Sequence, residues 1–103
     1  MILMGDFNIL EPGHQPAVHH FQHWEYVYCQ LNKFLSDGFR ETKKNQIEHS
    51  WVSFDGNGQR LDHVLLSPSL IDSINNCEYD HQPRIEKLSD HSLLSLYLRT
   101  AIT

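Results

Sequence analysis

The sequence has little cysteine and no long apolar run, and both shortages narrow the class of protein. Its 103 residues include two cysteines, Cys29 and Cys77, too few for a disulfide framework and not arranged as CxxC. We therefore predict two buried free thiols. No apolar stretch approaches the roughly 20 residues of a membrane span, and residues 1–4 are too few for a signal peptide. These features predict a cytoplasmic protein without a membrane span.

Basic residues are also scarce. Eight Lys and Arg stand against 13 Asp and Glu, which gives a net charge of -5. A broad basic surface of the kind that binds nucleic acid through counterion release is therefore excluded. An acidic balance does suit an enzyme whose carboxylates hold a divalent cation. With 40% hydrophobic and 20% charged residues, the composition is typical of a globular domain.

The pattern of apolar residues predicts an α+β domain with one mainly antiparallel sheet and helices on one face. Residues 1–4 are predicted to form a buried strand and residues 10–22 a loop. Apolar residues at intervals of three and four predict a helix over 23–36, ended by Gly38. A polar loop follows over 40–46. The remaining predictions are strands over 50–54, 60–67, 75–80 and 94–98, a hairpin turn over 55–58, and a short helix from Pro68.

The segment Gly5-Asp6-Phe7-Asn8 places polar side chains just after the first predicted strand. Asp6 and Asn8 lie two residues apart, so in extended geometry both side chains point to the same side. A carboxylate and an amide there could orient a water molecule or a phosphate oxygen. The alternative is an Asx turn that only ends the strand.

Two later segments combine aspartate with histidine. Asp62 interrupts an apolar strand, where an unpaired carboxylate is costly, so it needs a partner such as Arg60 or exposure to water. His63 should face the opposite side and is predicted to be structural. Asp90 and His91 precede the last strand, where an imidazole could donate to a phosphoryl oxygen or carry a proton. A capped turn with an exposed histidine is the alternative.

In this order the segments resemble the endonuclease/exonuclease/phosphatase superfamily, which has the DNase I-like fold. The C-terminal half of that fold characteristically carries GDFN or GDLN, then Ser/Thr-Trp, then R-x-D, then a terminal S-D-H. The matching segments here are residues 5–8, 50–51, 60–62 and 89–91. The resemblance covers residues 1–99 and is nearest to the exodeoxyribonuclease III-like branch. It implies that residues 1–103 form the C-terminal half of a two-layer α/β sandwich.

The resemblance also implies a role for each matching residue. Asp6 would position or deprotonate the attacking water, and Asn8 would bind the phosphate and orient Asp6. His91 would contact the scissile phosphate, held in orientation by Asp62. Asp90 would lie near a Mg²⁺ or Mn²⁺ ion. The substrate would be a phosphate ester, with DNA, inositol phosphates and sphingomyelin all served by this catalytic set.

One departure from the family pattern is large. The family's principal metal ligand is a glutamate in the other half, and no acid here has that context; Glu11, nearest to Asp6, is a poor substitute.

The expectation is therefore a metal-dependent phosphodiesterase or nuclease-like hydrolase that is incomplete as this chain. Phosphomonoesters or phospholipid head groups are alternative substrates. A non-catalytic remnant or interaction module, self-associating through an exposed sheet face, is the alternative function, and a longer gene product with Met1 internal is a third interpretation.

Overall fold

The computed structural model describes residues 1–15 and 22–99 of the chain. In these ranges the chain forms seven strands and four short helices. The elements are β1 (Ile2–Asp6), α1 (Gln22–Leu31), β2 (Ser36–Asp37), α2 (Gly38–Thr42), β3 (Trp51–Val52), β4 (Gly58–Gln59), β5 (Asp62–Leu66), a 3-10 helix (Pro68–Ser73), β6 (Ile74–Asp80), α3 (Gln82–Ile85) and β7 (Leu93–Leu98). No helix in the described ranges is both long and apolar enough to cross a membrane.

The strands form three small antiparallel sheets, ordered β1-β5-β2, β3-β4 and β6-β7. The mixed α/β class and the antiparallel pairing are confirmed, but the prediction of one sheet was wrong. The strand predicted over 60–67 does not continue the hairpin. Between β4 and β5 the backbone N–H groups of Leu61 and Asp62 donate to the Ser50 hydroxyl instead of to a neighbouring strand, at 2.9 and 3.1 Å. This side-chain contact ends one ladder, and β5 then pairs with β1 and β2.

The core lies between α2, β5 and β6. Every residue of β5 is buried, and its apolar side chains join residues of the other two elements. The buried cluster consists of Phe39, Val64, Leu66, Ile74, Cys77 and Tyr79. Cys77 is therefore the buried free thiol that was predicted, whereas Cys29 is a free thiol exposed to solvent, contrary to the prediction.

The region around Gly38 differs most from the predicted secondary structure. Helix α1 ends at Leu31, and Gly38 begins α2 instead of ending α1. Asp37 caps the new helix, because its Oδ1 accepts a hydrogen bond from the backbone N–H of Arg40 at 3.2 Å. A side chain at Gly38 would place its Cβ 3.1 Å from Leu66 Cδ2. Close packing against β5, and not helix termination, explains why this residue is glycine. The first three residues of the predicted loop over 40–46 are helical, because α2 extends to Thr42.

Strand β1 was predicted to be buried, and this was wrong. It is an edge strand that pairs with β5 on one side, and in the described ranges its apolar side chains have no covering layer. Met1 is 72% exposed and Met4 is 47% exposed. The hairpin turn, the helix from Pro68 and the last two strands are confirmed, while β2, α2, β4 and α3 were not predicted. Residues 16–21 of the predicted 10–22 loop lie outside the described ranges.

Candidate active site

Strands β1 and β5 bring two aspartates together. Their antiparallel register pairs Asp6 directly with Asp62, and the backbone N–H of Phe7 donates to the Leu61 carbonyl at 3.2 Å to close this end. Asn8 has a φ of 53°, and its backbone N–H donates to Asp6 Oδ1 at 2.9 Å. The chain therefore forms an Asx turn here, and that turn fixes the Asp6 carboxylate at the strand end.

His91 reaches both aspartates through its two ring nitrogens. Nδ1 donates a hydrogen bond to Asp62 Oδ2 at 2.7 Å, which is the contact implied by the resemblance. Nε2 lies 3.6 Å from Asp6 Oδ2, with His91 23% and Asp6 37% exposed. The imidazole is thus held on its buried side and open on the side facing Asp6, as an acid–base group needs to be.

Ser50 joins the segments that carry Asp62 and His91. It is fully buried. Its hydroxyl accepts from the Leu61 and Asp62 N–H groups, and its carbonyl accepts from the Ser92 N–H at 2.7 Å. The next residue, Trp51, forms an isolated β-bridge with His91. Sequence reasoning noted the Ser50-Trp51 pair but gave Ser50 no role. The available signal was a small hydroxyl at the start of a predicted strand, which needs a partner once it is buried.

The acids around His91 change its protonation. Partial burial alone would lower its pKa, but the hydrogen bond to Asp62 and the charges of Asp62, Asp6 and Asp90 outweigh burial. The pKa of His91 is therefore raised above its ordinary value. Asp90 is exposed and directly precedes His91 in the chain. Its contribution in this structure is its charge, and its predicted role at a metal stays a prediction.

A second polar cluster lies next to β5. It contains Arg60 and Glu11, two residues that the sequence analysis considered for the site. Arg60 forms an ion pair with Asp37 at 2.7 Å and not with Asp62, whose partner is His91. Glu11 is engaged by Arg40 and by Arg60, with its Oε2 3.1 Å from Arg60 Nη2. Neither Arg60 nor Glu11 contributes to the site.

His63 is structural, as predicted. It is fully buried, and its Nε2 donates to the Ile9 carbonyl at 2.7 Å. Its pKa is lowered, chiefly by burial and next by the positive charge of Arg60. It is therefore a neutral ring that packs the opposite side of β5.

The donor set is suited to a divalent cation. Ligand atoms of Asp6, Asp62 and His91 all lie within 4.8 Å of one another. Carboxylate oxygens suit Mg²⁺ and Mn²⁺, while an imidazole nitrogen suits Mn²⁺ better. Asp62 Oδ2 is already bonded to His91 Nδ1 and Asp6 Oδ1 to the Asn8 N–H, which leaves Asp6 Oδ2 as the carboxylate oxygen that faces His91 Nε2 at 3.6 Å.

Comparison with solved structures confirms the DNase I-like fold over the part of it that this chain covers, while the two-layer sandwich stays a prediction. The chain is similar to a 3'-5' exonuclease, NExo, from Neisseria meningitidis, with a TM-score of 0.82, 23% identity, and coverage of 96% of this chain and 45% of that one. It is also similar to a 3' phosphatase NExo from Neisseria bound to product DNA hairpin, with a TM-score of 0.82, 21% identity, and the same 96% and 45% coverage. The chain thus spans under half the length of these solved proteins. No protein-family model and no curated protein matches it.

Proposed function

We propose that this chain carries part of the active site of a metal-dependent phosphoester hydrolase, of the phosphodiesterase or nuclease type. One observation carries the proposal. His91 is hydrogen-bonded to Asp62 at 2.7 Å and faces Asp6 at 3.6 Å, on a fold shared in part with an exonuclease and 3' phosphatase. DNA is the substrate that these neighbours favour, and phosphomonoesters and phospholipid head groups are the alternatives.

The site residues divide the reaction between them. The Asp6 carboxylate, fixed by the Asn8 N–H, takes a proton from the water whose oxygen attacks phosphorus. His91 is biased toward the imidazolium by its neighbouring acids, and its Nε2–H donates to a phosphoryl oxygen as negative charge develops. Asp62 keeps the ring in the orientation that presents Nε2. The P–O bond to the leaving group then breaks, and the leaving oxygen takes a proton from solvent.

We propose Mg²⁺ or Mn²⁺ as the cofactor, held by Asp6 and Asp90. Once bound, the cation would neutralise charge on the phosphoryl oxygens. Glu11 is paired with two arginines and Asp62 is hydrogen-bonded to His91, so we expect a further carboxylate ligand from residues beyond this chain. Because the chain spans only 45% of the length of its solved neighbours, we also propose that full turnover depends on such residues.

The test combines binding with turnover. Thymidine 3'-phosphate, added with Mg²⁺, should shift the NMR signals of the His91 ring, and Asp62→Asn should abolish the shift. Hydrolysis of a 3'-phosphorylated oligonucleotide by the chain alone should be slow, and His91→Asn should lower it about 100-fold. His49→Asn is the matched control, because His49 contacts Gln15 and lies outside the site.

Two results would contradict parts of this proposal. Binding and hydrolysis that are the same in wild type, Asp6→Asn and His91→Asn would overturn the hydrolase site. Rapid hydrolysis that Asp6→Asn or His91→Ala abolishes would support the site but show that this chain is sufficient without residues beyond it.

The exposed apolar strands favour a second candidate, a non-catalytic module that self-associates. Ile2 and Met4 are 42% and 47% exposed on the edge strand β1, and Leu93 is 54% exposed on β7. An apolar edge strand can pair with another chain. Sedimentation should then depend on concentration, and Met4→Lys should shift the chain toward monomer. A strictly monomeric wild-type profile would count against this candidate.

A further inference from the structure

A groove of about 310 Å³ lies beside the candidate active site. Ser89 and Asp90 form one part of its lining and directly precede His91. Val52 contributes from β3, whose other residue, Trp51, bridges to His91. The groove and the site are therefore neighbours, because residues of the same loop and the same strand contribute to both. Arg84 and Lys87 complete the lining.

The two basic residues of this groove have no acid partner among the described residues. This distinguishes them from three other cations of the chain, which are neutralised by carboxylates within 4.0 Å. Those pairs are Arg40–Glu11, Arg60–Asp37 and Lys44–Glu41. An unneutralised arginine and lysine in one groove can bind an anion, and the fork of an arginine suits phosphate.

Arg84 is also fixed in place. Its Nε–H donates to the Ser92 hydroxyl at 3.3 Å, and this hydroxyl donates to His81 Nδ1 at 2.6 Å. His81 Nε2 in turn donates to Glu48 at 2.9 Å. These contacts use one donor of the guanidinium, and its Nη groups keep theirs. A pre-positioned cation loses less side-chain entropy on binding than a free one.

We propose that Arg84 and Lys87 bind a backbone phosphate of a polynucleotide strand, next to the phosphate that reacts at His91. This inference rests on the proposed function and narrows its substrate class. Asp90 is the one acid that lines the groove, so one positive charge remains in excess. A strand with phosphates on neighbouring nucleotides can occupy the site and the groove together, whereas a small phosphomonoester can occupy only one of them.

The experiment measures binding of a short fluorescent single strand, in DNA and RNA versions of one sequence, with EDTA present. The groove variant is Arg84→Gln with Lys87→Asn; asparagine tolerates the φ of 59° at that position. The matched control is Arg99→Gln with Lys33→Asn, which removes the same charge from exposed positions outside the groove. Lys87→Asn alone, at an exposed residue, covers the case in which replacing Arg84 disturbs Ser92 and the fold.

The groove variant should bind the strand about tenfold more weakly than the control. Its log affinity should also depend less steeply on log salt, by about 0.7, as expected for the loss of one phosphate contact. Binding of thymidine 3'-phosphate should be unchanged. Lys87→Asn alone should weaken strand binding about threefold. DNA and RNA should respond alike, because the contact is to phosphate.

The inference is overturned if the groove variant and its control bind the strand equally, or if strand and thymidine 3'-phosphate lose affinity by the same factor. These results are distinct from failure of the proposed function. In that case thymidine 3'-phosphate binding would not depend on His91 or Asp62, whereas the effect of the groove on strand binding would still be measurable.

Discussion

Two polar clusters flank β5, and they differ in burial and in charge balance. The cluster around Arg60 is sealed at its centre, with Arg60 1% and Asp37 3% exposed, while Arg40 and Glu11 at its rim are 25% and 17% exposed; it pairs two arginines with two carboxylates. The cluster around His91 is open to solvent at Asp6 and gathers three acids about one imidazole. Balanced buried charges hold the fold together. Unbalanced exposed charges are available to bind a cation or a phosphate.

The directions of the pKa shifts also differ between the Arg60 cluster and the His91 cluster. Burial alone would raise the pKa of Asp37, but the charge and hydrogen bonds of Arg60 outweigh burial and lower it. Asp37 therefore stabilises the fold above its unfolded pKa, and this stability is lost as the pH falls through its lowered folded pKa. His91 has a raised pKa and His63 a lowered one, although both adjoin β5.

Removing the charge of Arg60 should have the largest effect. Arg60→Leu leaves Asp37 as a buried carboxylate without its ion-pair partner, while Glu11 keeps its pair with Arg40, so the free energy of unfolding should fall by about 3–5 kcal/mol. Urea denaturation measures the change. Arg99→Leu, at an exposed position, is the control and should stay within about 0.5 kcal/mol of wild type. Equal losses in the two variants would contradict a stabilising role for the sealed cluster.

A smaller loss is expected from Tyr28→Phe. The Tyr28 hydroxyl donates to Asp37 Oδ2 at 2.7 Å, and a hydrogen bond to a buried carboxylate contributes about 1.5–3 kcal/mol. Tyr26 is 62% exposed, so Tyr26→Phe should be nearly neutral in the same urea experiment. If the two variants unfold at the same urea concentration, Tyr28 is not part of the stabilising cluster.

The smallest effect concerns protonation. In an NMR titration the ring of His91 should titrate above the ordinary pKa of 6.5, and the ring of His63 below it. Asp62→Asn should move the His91 midpoint down toward 6.5 and leave His63 unchanged. The His91 contribution to stability is present below pH 6.5 and is lost as the pH rises through its raised folded pKa. A common midpoint for both histidines would show that the two sides of β5 are electrostatically alike.

Local patterns predicted much of the secondary structure. The strands near 75–80 and 94–98 and the turn at 55–58 were predictable because alternation and turn chemistry are local properties. The end of α1 and the start of α2 were not. Gly38 satisfies the sequence rule for a helix C-terminus, yet its packing against Leu66 of β5 decides its position. Tertiary contacts overrode the local signal at that residue.

The candidate site was also predictable in part from local sequence patterns and in part only from tertiary contacts. The sequence singled out Asp6, Asp62 and His91 as polar residues at strand ends, and the β1–β5 register then placed Asp6 opposite Asp62. Ser50 was noted without a role because its partners, Leu61, Asp62 and Ser92, lie 11 or more residues away. Arg84 in α3 and Lys87 just after it went unnoticed because isolated basic residues have no sequence pattern of their own.

By itself the sequence determined which carboxylate, amide and imidazole side chains stand at strand ends and the order in which the chain presents them. The tertiary structure decided which of those groups are open to solvent, which are neutralised and which acid faces His91. The physical reason is that ionisation and ligand binding depend on charges within a few ångströms and on exclusion of water. Both are properties of the packing of distant segments, such as β1 on β5 and the Ser89–His91 loop on β3.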